Sequence, residues 1–360
     1  MHLLLINFLL LLVLALLCSC LKSITIKYKI FVGISFLLLL FFRTFVDIQS
    51  VPDLEFYRLG YEEIRSISFF EIPLASLSYV KIDEVGFRYL MKICSVISSS
   101  FTFFLFIFGL LWLFGYLKVI KNYSPYIILS VILLTIGAYN QSIFVVRQHL
   151  AMVVVFLSYK YIINKNLKKY LITVFLAFIL HQTAIIALPL YFLYNVRSKK
   201  KLLLSLILIT VFLYFGFSYL LKTVGGDMLS GYSSYIESDV QTNATGAIII
   251  ALELFLYVFI LRKHILDEGI NKLLFISLAV GLVGSIYGIG FNPTSRLLMY
   301  YTSISFLSVP IILKYTKNIT IRNVIAFMFV ALFAYMTFKG SGFDSLKNFK
   351  VSVYENTSIN

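Results

Sequence analysis

The chain has 360 residues, of which 60% are hydrophobic and 13% charged, and 31 Lys and Arg against 16 Asp and Glu give a formal net charge of +15. Soluble domains carry about 25% charged residues, so the solvent for most of this chain is lipid. The basic residues are scattered over short loops, which points to anionic lipid headgroups and excludes nucleic acid as the partner.

Taken in chain order, apolar runs between charged punctuation give candidate spans near 3–21, 28–42, 96–117, 125–145, 148–163, 171–195, 202–221, 247–261, 273–290, 297–313 and 323–338. Each approaches the length that crosses a hydrocarbon core of about 30 Å. The fold class expected is all-α: a polytopic membrane protein of about 10–12 transmembrane helices, in one integral domain over 1–360. The first run lacks a basic leader and a small-residue cleavage site, so it reads as a retained helix. Cys18 and Cys20 stand two apart on that helix and cannot face each other, and Cys94 completes no framework.

Lysine and arginine gather at 22–29, 118–121, 165–169, 197–201, 262–272 and 314–322, and these loops are placed in the cytoplasm. Acids gather elsewhere. Residues 43–95 hold Asp47, Asp53, Glu55, Glu62, Glu63, Glu71, Asp83 and Glu84, and residues 222–246 hold Asp227, Glu237 and Asp239. Both loops are placed outside the cytoplasm, and 339–360 reads as a polar tail. The run LITVFLAFILHQTAIIALPLYFLY has basic clusters on both flanks, so a single crossing would put one cluster outside. A re-entrant pair of half-helices over 171–195, broken near His181-Gln182-Thr183, resolves that conflict.

Polar side chains then stand out against the apolar background. In VVRQHLAMVVVF, Arg147 sits at a span end. At a 3.6-residue period Asn140, Arg147 and Ser158 share a face while Ser142 aligns with His149, so water is expected all round this helix end. In FNPTSRLLMYYTSIS, Thr294 or Ser295 suits an N-cap, which puts Arg296 in the first turn with Tyr300 and Ser303 on its face. Arginine beside free backbone N–H groups suits a phosphate-type anion. His181 lies at the inferred break, and histidine is the side chain suited to proton transfer near neutral pH. PDLEFYRLGYEEI sets Leu54, Tyr57, Tyr61 and Ile64 on one stripe and Arg58, Glu62 and Arg65 on another, as in an interfacial amphipathic helix. Tyr232 and Tyr235 with Glu237 and Asp239 suit a sugar, and Gly284 with Gly288 suits helix packing. The structural alternatives are plain: a snorkelling arginine, a packing histidine, a salt-bridged solvated face.

No Walker loop, HExxH, GxSxG, Asp-x-Asp or Cys/His cluster occurs. That argues against a nucleotide-driven pump, a zinc protease and a metal-dependent enzyme using nucleotide sugars, and neither metal nor cofactor is expected. The order Arg43, Asp47, Tyr57, then Glu84-x-Gly86-Phe87, then IFVVRQHLAMVVVFLSYKYI, a basic turn, AFILHQTAIIALPLYFL and SRLLMYY resembles the EpsG-like, Wzy-type polysaccharide polymerases over most of residues 30–310. Its sharpest part is Arg-Gln-x-x-Ala followed, in a later apolar stretch, by His181. His149 departs from the pattern and takes no role from it, and the acidic position in the first outer loop is open between Asp47 and Asp53.

The resemblance implies an enzyme of the bacterial cytoplasmic (inner) membrane that joins repeat units of O-antigen, capsule or exopolysaccharide. Its substrates would be undecaprenyl-diphosphate-linked oligosaccharides among membrane lipids, with a chain-length regulator and a flippase as partners. Catalytic roles then fall to Arg147, His181 and Arg296, and substrate binding to Arg43, Asp47, Tyr57, Arg58, Glu84, Asn140 and Tyr300. The rivals are a lipid-linked glycan flippase, a membrane acyltransferase and an O-antigen ligase. A flippase should show internal repeats and midplane charges, and no repeat is evident.

Overall fold

The computed structural model describes residues 3–78, 82–212, 244–288 and 296–339. Their regular elements are all helical: α1 (Leu3–Ser19), α2 (Ile24–Thr44), α3 (Pro52–Ser66), α4 (Val85–Ile97), α5 (Phe101–Tyr123), α6 (Ile127–Leu134), α7 (Asn140–Phe144), α8 (Val146–Leu157) and α9 (Tyr159–Ile163) come first. Then follow α10 (Leu167–Leu180), α11 (Leu188–Asn195), α12 (Lys199–Val211), α13 (Thr245–Leu261), α14 (Ile270–Gly288), α15 (Met299–Thr302), α16 (Ser305–Tyr315) and α17 (Ile319–Lys339). Six helical stretches among these residues are long and apolar enough to cross a membrane: Ile24–Thr44, Phe101–Tyr123, Ile127–Phe144, Thr245–His264, Ile270–Gly288 and Ile319–Phe338. The chain is thus an all-α, multi-pass membrane protein. Tyr232, Tyr235, Glu237 and Asp239, the proposed caps Thr294 and Ser295, and all but the first residue of the tail at 339–360 lie outside the described residues.

Contacts divide the chain into two units, the first of residues 1–157, 175–182 and 327–360, the second of residues 158–174 and 183–326. The first is built round α5, which packs against α2 and α8. Small residues set those distances. A Cβ on Gly109 would lie 2.9 Å from Leu40 Cδ1, and one on Gly115 would lie 2.1 Å from Val153 Cγ1, so α5 can approach both neighbours only where it lacks a side chain.

Between α6 and α7 the helix widens into a π-turn over Thr135–Tyr139, where Tyr139 OH donates to Leu39 O at 2.7 Å and Thr337 Oγ1 to Ile136 O at 2.5 Å. The helix then ends at Val145 (φ −106°, ψ 61°) and α8 starts afresh at Val146. A single helical period therefore does not run through 140–158, and Asn140, Arg147 and Ser158 do not share a face. Nor is the surrounding sequence wet, because Asn140, Ser142, Gln148 and His149 are buried. The break reorients α8 so that polar side chains adjacent in sequence turn inward.

The amphipathic stripe of α3 is real, but it faces protein. Leu54, Tyr57, Tyr61 and Ile64 are buried, with Tyr61 against Phe101 and Phe104 and Tyr57 against Phe87. Burying such a side chain contributes about 1.5–3 kcal/mol. Two cations spaced one turn apart on α4 hold the loop that follows. Lys92 Nζ donates to Arg65 O at 2.9 Å and Ile67 O at 2.5 Å, satisfying carbonyls at the end of α3. Arg88 donates to the carbonyls of Ala75 at 2.7 Å, Ile72 at 3.1 Å and Ile82.

In the second unit Tyr170, at the start of α10, stacks on Tyr191 at 5.5 Å and donates to Ala187 O at 2.6 Å. A straight helix would separate residues 170 and 187 by about 25 Å at 1.5 Å per residue. The chain has therefore folded back. The reversal falls at His181, where α10 stops and a 3-10 turn over Gln182–Ala187 leads into α11. A hairpin is the backbone shape that the re-entrant reading of 171–195 expects. In the same unit α14 packs against α15 through Gly281 and Gly284, where a Cβ on Gly284 would sit 1.6 Å from Leu298 Cδ1. Gly284 is thus a packing glycine as expected, paired in this contact with Gly281.

Candidate active site

The first unit gathers four of the singled-out side chains in one cluster, with the carboxylate of Glu84 bridging two of the others. Glu84 stands at the N-cap of α4, Arg147 in the first turn of α8, Tyr57 on α3, and His181 at the end of α10. Glu84 Oε2 accepts from Arg147 Nη1 at 2.5 Å, and its Oε1 lies 2.6 Å from His181 Nδ1. Arg147 Nε donates to Tyr57 OH at 3.0 Å, and the guanidinium carbon lies 5.7 Å from the centre of the Tyr57 ring. The three partners differ in reach: the side chain of Arg147 is 22% exposed, that of His181 11% and that of Glu84 5%. Arginine is the member that meets the outside.

Backbone geometry explains the meeting of Glu84 and His181. A Cβ on Gly86 would lie 2.7 Å from Ile179 O and 2.9 Å from Ile179 Cγ1. The start of α4 can rest against the end of α10 only because that position is glycine, and this contact carries Glu84 to within a hydrogen bond of the imidazole. Burial pushes the Glu84 carboxyl upward, but the hydrogen bond from His181 and the charges of Arg147 and His181 outweigh it and lower it to about 2. Glu84 is therefore a carboxylate in the working range of pH. A carboxylate only accepts hydrogen bonds, so His181 Nδ1 carries the hydrogen of this one. Burial raises the Tyr57 hydroxyl above its ordinary value, against the opposing charge of Arg147, and keeps it neutral.

Other candidates lie apart from this cluster or are engaged differently. Arg43 is buried, donates to Ser142 O at 2.8 Å and lies 4.5 Å from the Phe108 ring centre. Asp47 caps a 3-10 turn by accepting from Gln49 N at 3.2 Å. Arg58 pairs along its own helix with Glu55 at 2.7 Å and Glu62 at 2.5 Å, the salt-bridged face that the spacing suggests. Asn140 is buried beside the π-turn. Arg296 and Tyr300 belong to the second unit, where Tyr300 OH lies 3.2 Å from Thr183 Oγ1. The helix there is interrupted at Ser303 and Ile304, so Ser303 does not continue the face of Arg296 and Tyr300. The reading by periodicity missed Arg88 and Lys92, although a pair of cations one turn apart in GFRYLMKICSVI is a visible signal.

A buried carboxylate bridging an accessible arginine to a histidine can neutralise an anion and move a proton at one place. On fold and site together this is a multi-pass membrane protein with a buried ionic cluster. The chain belongs to the EpsG family, whose model matches residues 29–356. It is thus a membrane protein of the polysaccharide-polymerase type, as the motif order implied. No curated protein and no solved structure matches it.

Proposed function

We propose that the protein is a metal-independent glycosyltransferase of the bacterial cytoplasmic membrane that joins undecaprenyl-diphosphate-linked repeat units on its extracytoplasmic side. The observation that supports this reading is the single carboxylate, Glu84, shared by Arg147 and His181. In the reaction an acceptor hydroxyl attacks the anomeric carbon of the donor glycan, and the bond from that carbon to the diphosphate breaks. The diphosphate leaves with the electron pair, and its added charge needs a partner. Arg147 supplies it: the planar guanidinium engages phosphate oxygens in a fork that lysine lacks. A diphosphate carries more negative charge than Glu84, so Arg147 exchanges partners as the donor arrives. His181 Nε2 takes the hydroxyl proton while Glu84 holds Nδ1–H and fixes the ring, the arrangement seen wherever a carboxylate orients a catalytic histidine.

Tyr57 keeps Arg147 in place through its hydroxyl. Arg296 is proposed separately as a phosphate-type anion ligand of the second unit. A chain-length regulator and a flippase are the partners this reaction would need, one to stop the product and one to deliver the donor.

The test is Arg147→Lys, and Arg296→Lys beside it, with surface glycan resolved on a gel and membrane protein measured in parallel. Both variants should insert normally and lose the long-chain ladder. Normal ladders in both would overturn the reading and leave the arginines as interfacial anchors.

A further inference from the structure

A second carboxylate is buried in the molecule, and among the described residues no cation pairs with it. Glu253 stands in the middle of α13, one of the helices able to cross a membrane, and is fully buried. Its Oε2 accepts from Ser305 Oγ at 2.7 Å, and its Oε1 meets Ser308 Oγ; both serines belong to the start of α16. Ser308 Oγ also lies 3.1 Å from Ile304 O.

Among the described residues, the elements packed against α13 offer no counter-charge to Glu253. On α14 Lys272 is engaged elsewhere, its Nζ donating to Val196 O at 2.9 Å and lying 5.2 Å from the Tyr194 ring centre. On α16 the charged residue is Lys314, in the last turn against the Tyr315 ring. At the end of α13 Arg262 donates to Phe259 O, and Tyr257, one turn from Glu253, donates its hydroxyl hydrogen to Asn271 O. Among the described residues no cation pairs with Glu253.

Counting hydrogens then decides its form. A serine hydroxyl has one hydrogen to give. If Glu253 is ionised, Ser308 must choose between the carboxylate and Ile304 O, and a full charge stays in an apolar layer with neutral donors alone. If Glu253 is protonated, the network closes: Glu253 donates to Ser308, Ser308 donates to Ile304 O, and Ser305 donates to the remaining carboxyl oxygen. The start of α16 offers some positive helix dipole, but desolvation of a bare carboxylate is the larger effect.

We propose that Glu253 is a proton-binding site in the membrane-spanning layer, a neutral carboxylic acid held between α13 and α16 by Ser305 and Ser308. This stands independently of the transfer chemistry assigned to Arg147 and His181.

Infrared difference spectra of the full-length protein in lipid vesicles at neutral pH, wild type minus Glu253→Gln, test it. A carboxylic acid C=O band should appear in the wild type, vanish in the variant and shift in heavy water. Ser305→Ala should move that band to higher frequency, because the carbonyl loses its donor. A difference spectrum with carboxylate bands alone would overturn the proposal. If the glutamine variant fails to insert, the Ser305→Ala spectrum decides: an unmoved acid band, or none, overturns the proposal equally.

Discussion

At the scale of single residues, the site rests on one side chain serving two others. Glu84→Gln keeps the shape of that side chain but removes the charge facing Arg147, and it lets the imidazole of His181 adopt the wrong tautomer. Turnover should fall by about 10²–10⁴-fold, the range that a positioned proton acceptor contributes. Stability should show its own signature. The folded carboxyl is held at about 2 against an ordinary value of 4.5. The stabilisation from its ionised form is therefore present above pH 4.5 and is lost as pH falls toward 2. Thermal unfolding in detergent should give a wild-type advantage over Glu84→Gln that shrinks as pH falls from 4.5 toward 2, and an advantage unchanged over that fall would contradict the lowered carboxyl. The sequence shows Glu84, Arg147 and His181 as members of a motif order, but not that they touch. Glu84 is 63 residues from Arg147 and 97 from His181, and only the packing of three helices closes those separations.

At the scale of elements, Gly86 sets the distance between α4 and α10. Gly86→Ala would place a methyl group 2.7 Å from Ile179 O, a backbone atom that cannot rotate away. Overpacking of this kind costs about 1–3 kcal/mol. Because α4 must move off α10, Glu84 leaves His181, so activity should drop further than the loss of melting temperature explains. Chain synthesis per folded molecule is the quantity to measure; activity falling only in step with folded protein would make Gly86 a packing residue alone. Hydrophobic pattern and charge reveal the helices and the hairpin at His181, since basic clusters flank both arms of 171–195. They do not reveal the break at Val145, where no proline or glycine marks the end of α7. That break buries Gln148 and His149, and reading a continuous helix there put them in water. Exposure on α3 was misjudged for a related reason: the Leu54, Tyr57, Tyr61 and Ile64 stripe is the same whether it meets lipid or α4, and period alone does not tell them apart.

At the scale of the whole molecule, the account requires Glu84, the start of α8 and the hairpin break to open on the extracytoplasmic side. The distribution of lysine and arginine supports that orientation. Cysteine accessibility mapping tests it: a cysteine at Ser66, in the exposed last turn of α3, should be labelled from outside intact cells, and one at Lys200 only after permeabilisation. The reverse pattern would remove the site from the compartment where lipid-linked units are joined. The most direct test of the central claim is single-turnover transfer in proteoliposomes, using a purified lipid-linked repeat unit and measuring both donor binding and release of undecaprenyl diphosphate. His181→Gln should bind donor as the wild type does, because Arg147 is intact, and transfer it about 10²–10⁴-fold more slowly, because the proton acceptor is gone. Transfer at the wild-type rate in that variant would contradict the account.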